Sequence, residues 1–188
     1  MTPQPIFVGV GARRGAAVLA AVVVTALAAV GAAAAVPSSA HHAVRLTSLE
    51  SGVLQQLNRI RAQHGLVPLH LNTRLSAAAD QHSREMGDDG YFQHNSVDGT
   101  EFWRRIARWY PSNGYGFWSV GENLLWSSPD VDPEQALQLW MNSPEHRANI
   151  LTPRWREIGV SAVHLQSAPG TYHGLAVTII TTDFGVRH

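Results

Sequence analysis

The sequence predicts an α+β domain in which helices pack on a small, mainly antiparallel sheet. Two observations carry this prediction. Apolar residues recur at helical spacing between residues 49 and 141, whereas two stretches nearer the C-terminus are rich in Val, Ile and Thr. Chains whose helices mostly come first and whose strands come last fold as α+β domains rather than as alternating α/β domains.

Four helices are predicted, each from a periodic apolar face. The first carries Leu49, Val53, Leu57 and Ile60 at spacings of four, four and three, and Gly65 ends it. The second follows the N-cap residue Asn72 and ends at 88–90. Its stripe combines apolar residues with one histidine: Leu75, Ala78, Ala79, His82 and Met86. We interpret His82 as a core histidine.

The third and fourth helices have clear local boundaries. The third places Phe102, Ile106 and Trp109 inward and ends at Pro111. The fourth begins with the Asp132-Pro133-Glu134 pattern, in which an N-cap, an N1 proline and an acidic first turn follow one another. Its apolar face is formed by Leu137, Trp140 and Met141.

The strands are predicted from β-branched runs. Residues 158–165 and 175–184 form two strands joined by a Pro169-Gly170 turn, and residues 120–126 form a weaker candidate.

The N-terminal 40 residues have the composition of an export signal. Arg13 and Arg14 precede an apolar run over 16–36 without a charged residue, and small residues follow at 38–40. Because the run approaches the roughly 20 residues that span a bilayer, both a cleaved signal peptide and an uncleaved anchor fit. We therefore expect a leader over 1–40, a linker over 41–48 and one domain over 49–188, secreted or held at the cell envelope.

Composition excludes several classes of function. The chain has no Cys, so disulfides, thiol nucleophiles and Cys-based zinc sites are impossible. The formal net charge is zero and every basic residue is Arg, so no basic surface predicts nucleic-acid binding. Membrane contact is expected only through an uncleaved leader.

Three strings combine titratable residues with turn-forming neighbours: 91–94 (Tyr-Phe-Gln-His), 121–123 (Gly-Glu-Asn) and 143–151, which begins Ser-Pro-Glu-His. His94, Glu122 and His146 are thus candidate ligands for Zn²⁺ or another divalent metal, and candidate catalytic residues. Their separations carry no local metal signature, so a hydrogen-bonded His–Glu pair in the core stays open as the alternative.

In this order, the three strings resemble the CAP superfamily of cysteine-rich secretory proteins, antigen 5 and plant pathogenesis-related proteins, and above all its bacterial SCP-like branch. The resemblance runs from about Leu54 to Gly185. It implies a three-layer α-β-α sandwich with a cleft lined by His94, Glu122 and His146. The second glutamate of animal and plant members is missing, because residues 140–143 read Trp-Met-Asn-Ser. Glu145 is a possible substitute.

The resemblance favours an extracellular binding module for a lipid, a glycan or a protein, with a cleft able to bind a divalent metal. Asn123, Glu145 and Trp126 are further candidates for the ligand cleft. One alternative is a metal-assisted peptidase or esterase in which Glu122 is the general base, although no Gly-x-Ser-x-Gly motif supports a nucleophile. A second alternative is a structural protein of the cell envelope.

Overall fold

A computed structural model describes residues 8–11 and 46–188. Within them lie five α-helices: α1 (Ser48–Gln63), α2 (Thr73–Asp89), α3 (Phe102–Trp109), α4 (Pro133–Asn142) and α5 (Pro144–Ile150). The strands are β1 (Val8–Gly11), β2 (His70–Leu71), β3 (Phe117–Ser127), β4 (Glu157–Leu165) and β5 (Val177–Arg187). A short 3₁₀ turn covers Gly170–Tyr172. In these two ranges, no helix has both the length and the apolar character needed to cross a bilayer.

The strands form one sheet in the order β1-β3-β5-β4-β2. All pairs are antiparallel except β2 with β4. The central strand β5 places Asp183 opposite Glu122 of β3 on one side and opposite Gly159 of β4 on the other. A carboxyl group of the last strand therefore lies beside the predicted site.

Helices cover both faces of the sheet, because side chains alternate along each strand. Ile180 and Phe184 of β5 pack into a cluster with residues of α1, α4 and α5. Ile179 of β5 packs instead with Met86 of α2, and α3 joins α2 over Val120 of β3. The predicted α+β class and the three-layer α-β-α sandwich are confirmed.

The local helix signals of the sequence are borne out. Asn72 accepts hydrogen bonds from the first backbone N–H groups of α2, and Gly90 ends this helix in the left-handed conformation, at φ 72°. Asp132 caps α4 with Pro133 at its first position. Caps depend on residues within one turn, so the sequence predicts them directly.

One inward position of α3 is wrong in the sequence prediction. Trp109 is 42% exposed, and its indole N–H donates to Gln81 on α2 at 2.7 Å. The helix ends at this residue, and the fully buried Tyr110 takes the core position instead. The inward face consists of Phe102, Arg105 and Ile106, so an arginine lies where an apolar residue is usual.

The strands depart from prediction in length and number. β3 extends over 11 residues although its sequence is the weakest strand signal, and β2 was not predicted. The predicted leader, 1–40, and most of the linker lie outside the described residues, apart from 8–11, where β1 pairs with residues 117–120 of β3.

Helix side chains cover the sheet edges where strand pairing ends. Among the described residues, β3 has no second strand partner beyond Val120. There Trp140 of α4 donates to the carbonyl of Leu124 at 3.0 Å, and Asn149 of α5 donates to that of Glu122 at 3.1 Å. On β4, the N–H of Ala162 donates to Glu50 of α1 at 3.0 Å.

Candidate functional site

Glu122 lies in the middle of β3 and faces the layer formed by α2 and α3. Its side chain has no exposed surface. One carboxylate oxygen accepts a hydrogen bond from Nδ1 of His94 at 2.9 Å, and the other accepts from Nη2 of Arg105. Burial alone would raise the pKa of Glu122, but the charges of Arg105 and His82 and the hydrogen bond from His94 lower it to about 2.

Arg105 is the functional residue that the sequence prediction missed. Its guanidinium is fully buried, donates to Glu122 and, through Nη1, donates to the backbone carbonyl of His94 at 2.9 Å. The available signal was an arginine between Phe102 and Ile106 on an apolar helix face. Nothing local reveals its partner, because Glu122 lies 17 residues further along the chain.

His94 lies at the mouth of this buried cluster, with 37% of its side chain exposed. A carboxylate can only accept hydrogen bonds, so the contact with Glu122 requires the proton of neutral His94 to reside on Nδ1. The remaining nitrogen, Nε2, then carries a lone pair. The hydrogen bond to Glu122 therefore orients the His94 imidazole and leaves Nε2 available to bind a ligand.

His146 lies on α5, which begins immediately after Ser143. Its Nδ1 lies 2.7 Å from the Ser143 hydroxyl, which in turn donates to Glu145 at 3.3 Å. Since that hydroxyl hydrogen points to a carboxylate, the hydroxyl oxygen accepts the Nδ1 proton of His146. Nε2 of His146 also carries the lone pair.

The two imidazoles lie within electrostatic range of each other. Partial burial lowers the pKa of His146, and a positive charge on His94 lowers it further, while Glu145 opposes both effects. His146 is therefore neutral at neutral pH, which is the form that binds metal ions.

A metal ion would find two suitable nitrogens here. In the described part of the chain, no three or more His, Asp or Glu side chains are grouped so that they could hold a metal ion. Both oxygens of Glu122 already accept hydrogen bonds, so Glu122 supports His94 as a hydrogen-bond acceptor and is not itself a metal ligand. An imidazole supported in this way through Nδ1 is the usual arrangement of histidine ligands in metalloproteins.

Amide side chains connect β3 to α5. Asn123 donates to the backbone carbonyl of His146 at 3.2 Å. Asn149 donates to Asn123 at 2.9 Å and to the backbone of Glu122. These contacts require Gly121, because a Cβ there would lie 2.7 Å from Oδ1 of Asn149. The strand that carries Glu122 and the helix that carries His146 are therefore joined directly.

The other predicted cleft residues lie at different depths. Asn123 is fully buried, and Glu145 is exposed at the start of α5. Trp126 is partly buried and packs edge-on against Tyr172, with ring centroids 5.3 Å apart. Glu145 and Trp126 are thus partly or fully accessible to a ligand, whereas Asn123 acts through the backbone of His146.

Two further titratable groups lie beneath the site. Asp183 is fully buried, and neither carboxylate oxygen has a hydrogen-bond partner. Burial and the negative charge of Glu122 raise the pKa of Asp183 well above the ordinary value, which favours its protonated form. His82 donates from Nε2 to the carbonyl of Gln93 at 3.0 Å, as expected for a core histidine, but its Nδ1 has no hydrogen-bond partner.

Known proteins resemble this chain in sequence. The protein YkwD of Bacillus subtilis, described as uncharacterised, is 34% identical over 119 residues, which are 63% of this chain and 44% of that protein. The membrane protein YlbC of the same organism, also described as uncharacterised, is 30% identical over 61% of this chain and 31% of its own length. The chain therefore matches less than half of each of these curated relatives.

Solved structures resemble it in fold. An extracellular protein of Bacillus anthracis containing an SCP domain is 29% identical, with a TM-score of 0.53 over 76% of this chain and 44% of that chain. An outer surface protein of Borrelia burgdorferi has a TM-score of 0.55 over 72% of this chain and 90% of that chain, and at 19% identity it shows the fold alone. The model of the cysteine-rich secretory protein family, CAP, matches residues 54–179. With this match, the three-layer sandwich and the His94–Glu122 pair, the chain belongs to the CAP family.

Proposed function

We propose that the protein is an extracellular binding module in which Nε2 of His94 and Nε2 of His146 hold a divalent metal, Zn²⁺ or a similar ion, at the mouth of the cleft. The observation that carries the proposal is that Nδ1 of each imidazole is already occupied by a hydrogen bond within the protein. Each is fixed through Nδ1 and keeps the lone pair of Nε2 for a ligand. An extracellular location is supported by the bacterial relative described as extracellular.

The properties of Glu122 favour binding over hydrolysis. A general base works best when its pKa lies near the working pH, whereas the pKa of Glu122 is lowered to about 2. Its side chain is also closed to solvent and bonded at both oxygens. We infer that Glu122 orients His94 and does not activate water.

A second surface supports the binding of an apolar ligand. Two hollows of about 390 and 340 Å³ adjoin α4 and share Met141. Leu151, Ala148 and Arg147 line the first hollow. The second is lined by Ile60, Leu137 and Arg59 together with polar residues that include Glu134 and three glutamines. The first hollow, with apolar side chains beside an arginine, suits a lipid, or an apolar segment of a protein with an acidic group.

Titration calorimetry with Zn²⁺ at neutral pH tests the metal site. We expect heat of binding from the unmodified protein and its loss in His94→Ala and in His146→Ala. His164→Ala is the matched control, because His164 is also partly exposed but lies on β4 beside Asp130 and Thr178. Absence of heat in the parent, or heat in both cleft variants as large as in the parent, would contradict the proposal.

Native mass spectrometry tests whether the protein carries a ligand, without any assumption about its identity. We expect a retained mass beyond that of the polypeptide, of lipid or glycan size, in protein purified from its own host. If repeated preparations gave the polypeptide mass alone, this result would count against a bound lipid or glycan. A protein would then be the remaining class of ligand.

A further inference from the structure

The segment that carries His94 has no regular secondary structure of its own. Residues 91–101, between α2 and α3, contain neither helix nor strand. An imidazole on such a segment would ordinarily sample several side-chain conformations. Yet the contact with Glu122 requires one conformation and one tautomer, so another group must hold His94 in place.

Arg105 contacts the backbone of His94 and the carboxylate that accepts from its imidazole. Nη1 donates to the backbone carbonyl of His94 at 2.9 Å, while Nη2 donates to Glu122. The other oxygen of Glu122 accepts from the His94 side chain at 2.9 Å. These contacts close a ring that runs from the arginine through the carboxylate and the imidazole back to the arginine.

We propose that Arg105 is a positioning residue for His94, which fixes both the direction of the imidazole and the tautomer that leaves Nε2 free. This inference rests on the proposed role of His94 as a ligand. A planar guanidinium presents several N–H groups in fixed directions, so one arginine can bond a carbonyl and a carboxylate at once. A lysine ammonium keeps the charge without this geometry.

Burial makes a purely stabilising role a poor explanation for Arg105. The guanidinium has no exposed surface, and its Nε has no hydrogen-bond partner. Charges removed from water often fail to recover the desolvation cost through pairing, so a buried ion pair is weak evidence for stability. Positioning of His94 therefore explains the Arg105–Glu122 ion pair better than a contribution to stability does.

Besides Arg105, whose Nη1 also donates to the hydroxyl of Ser96 at 3.4 Å, two residues of α2 fasten the same segment. His82 donates to the carbonyl of Gln93 at 3.0 Å, and Glu85 accepts from the hydroxyl of Ser96 at 3.1 Å and from the N–H of Val97 at 3.2 Å. Replacing Arg105 should therefore release the imidazole while the rest of the segment stays attached to α2.

Nitrogen-15 NMR of the histidine side chains in the metal-free protein tests the proposal. In the unmodified protein we expect two widely separated ring resonances for His94, the sign of a single tautomer. In Arg105→Lys the two resonances should move toward each other, because both tautomers become populated. Unchanged His94 resonances in a folded Arg105→Lys variant would overturn the proposal.

Arg61→Lys is the matched control. Arg61 is the other fully buried arginine among the described residues, and its hydrogen bonds go to backbone carbonyls outside β3 and the segment that carries His94, at Val67, Ile150, Thr152 and Trp155. We expect this variant to lose stability and to keep the His94 resonances of the parent. If the His94 resonances shifted equally in Arg61→Lys and Arg105→Lys, the shifts would reflect a general loss of packing, and the specific role of Arg105 would be overturned.

A measurement on the unmodified protein guards against a variant that fails to fold. Because Nη1 and Nη2 of Arg105 bond different acceptors, their resonances should be separate; a single averaged resonance would overturn the proposal. Where Zn²⁺ binds, Arg105→Lys should weaken binding about 10- to 100-fold, as loss of groups that orient metal ligands does. If the parent binds no Zn²⁺, the proposed function fails while the tautomer measurement still decides the role of Arg105.

Discussion

At the scale of single residues, the site contains two buried carboxyl groups in different states. Glu122 is charged, whereas Asp183 favours its protonated form. Glu122 is ionised because Arg105 and His94 bond its two oxygens. Asp183, opposite it on β5, has no such partners. Two adjacent buried carboxylates would repel each other, so one remains charged and the other holds its proton.

The stability of the Asp183→Asn variant, measured relative to that of the parent, should increase as pH rises. The pKa of Asp183 is raised above its ordinary value of 3.8, so above this pH the folded state keeps a proton that the unfolded chain has lost. Stability of the parent therefore falls as pH rises toward the folded pKa, by at most about 1.4 kcal/mol per pH unit from this group. Denaturant unfolding from pH 3 to pH 8 measures the difference.

The exposed Asp89 provides the control, since Asp89→Asn makes the same chemical substitution at an exposed position at the end of α2. The stability difference between this variant and the parent should show no comparable rise with pH. A constant difference for Asp183→Asn across the range, or one that shrinks with rising pH, would show that Asp183 is ionised in the folded protein.

His94, Glu122 and His146 could be named from sequence because each stands in a short string with a recognisable neighbour. Arg105, and the position of Asp183 beside Glu122, could not be predicted in this way. Each interrupts an apolar periodicity, on α3 and β5, and its partner is defined only when the strands pair. The register that sets Asp183 against Glu122 joins residues 61 positions apart in the chain, and no local pattern encodes it.

At the scale of elements, the junction of β3 with α5 depends on close approach at Gly121. Gly121→Ala should destabilise the protein by about 1–3 kcal/mol, as overpacking of a tight core does. The added Cβ would lie 2.7 Å from Oδ1 of Asn149 and 3.0 Å from the Trp155 ring. Thermal unfolding and denaturant unfolding both measure this loss.

Gly116→Ala is the matched control, at the residue that precedes β3. The nearest atom to its added Cβ is the carbonyl oxygen of His188 at 3.6 Å, an ordinary contact. We expect a change within about 0.5 kcal/mol. Equal losses at both glycines would mean that the Asn149 contact does not restrict Gly121.

The helices were easier to predict than the strands for a physical reason. Caps and periodic faces are local, and Asn72, Gly90 and Asp132 act within one turn of the helices they delimit. β3 contains Gly-Glu-Asn, residues that weaken its strand signal, and it extends to its full length because it pairs with β5 over ten positions. β2 is two residues long and exists through its pairing with β4.

At the scale of the whole molecule, the order of elements predicts the class but not the faces of the sheet. Helices before strands indicate α+β, yet nothing in that order assigns α2 and α3 to one face and α1, α4 and α5 to the other. The assignment follows from the alternation along β5, where neighbouring residues Ile179 and Ile180 enter different clusters. Without cysteine, both apolar layers must supply stability by packing.

The helix side chains that cover the sheet edges have a consequence beyond the fold of one molecule. Unpaired strand edges recruit strands from other copies and begin fibrous aggregation. Trp140 and Asn149 occupy two carbonyls of β3, and Glu50 occupies an N–H of β4. At these positions the described strands therefore offer few free backbone groups to a strand of another copy, so crowded copies have less opportunity to polymerise there.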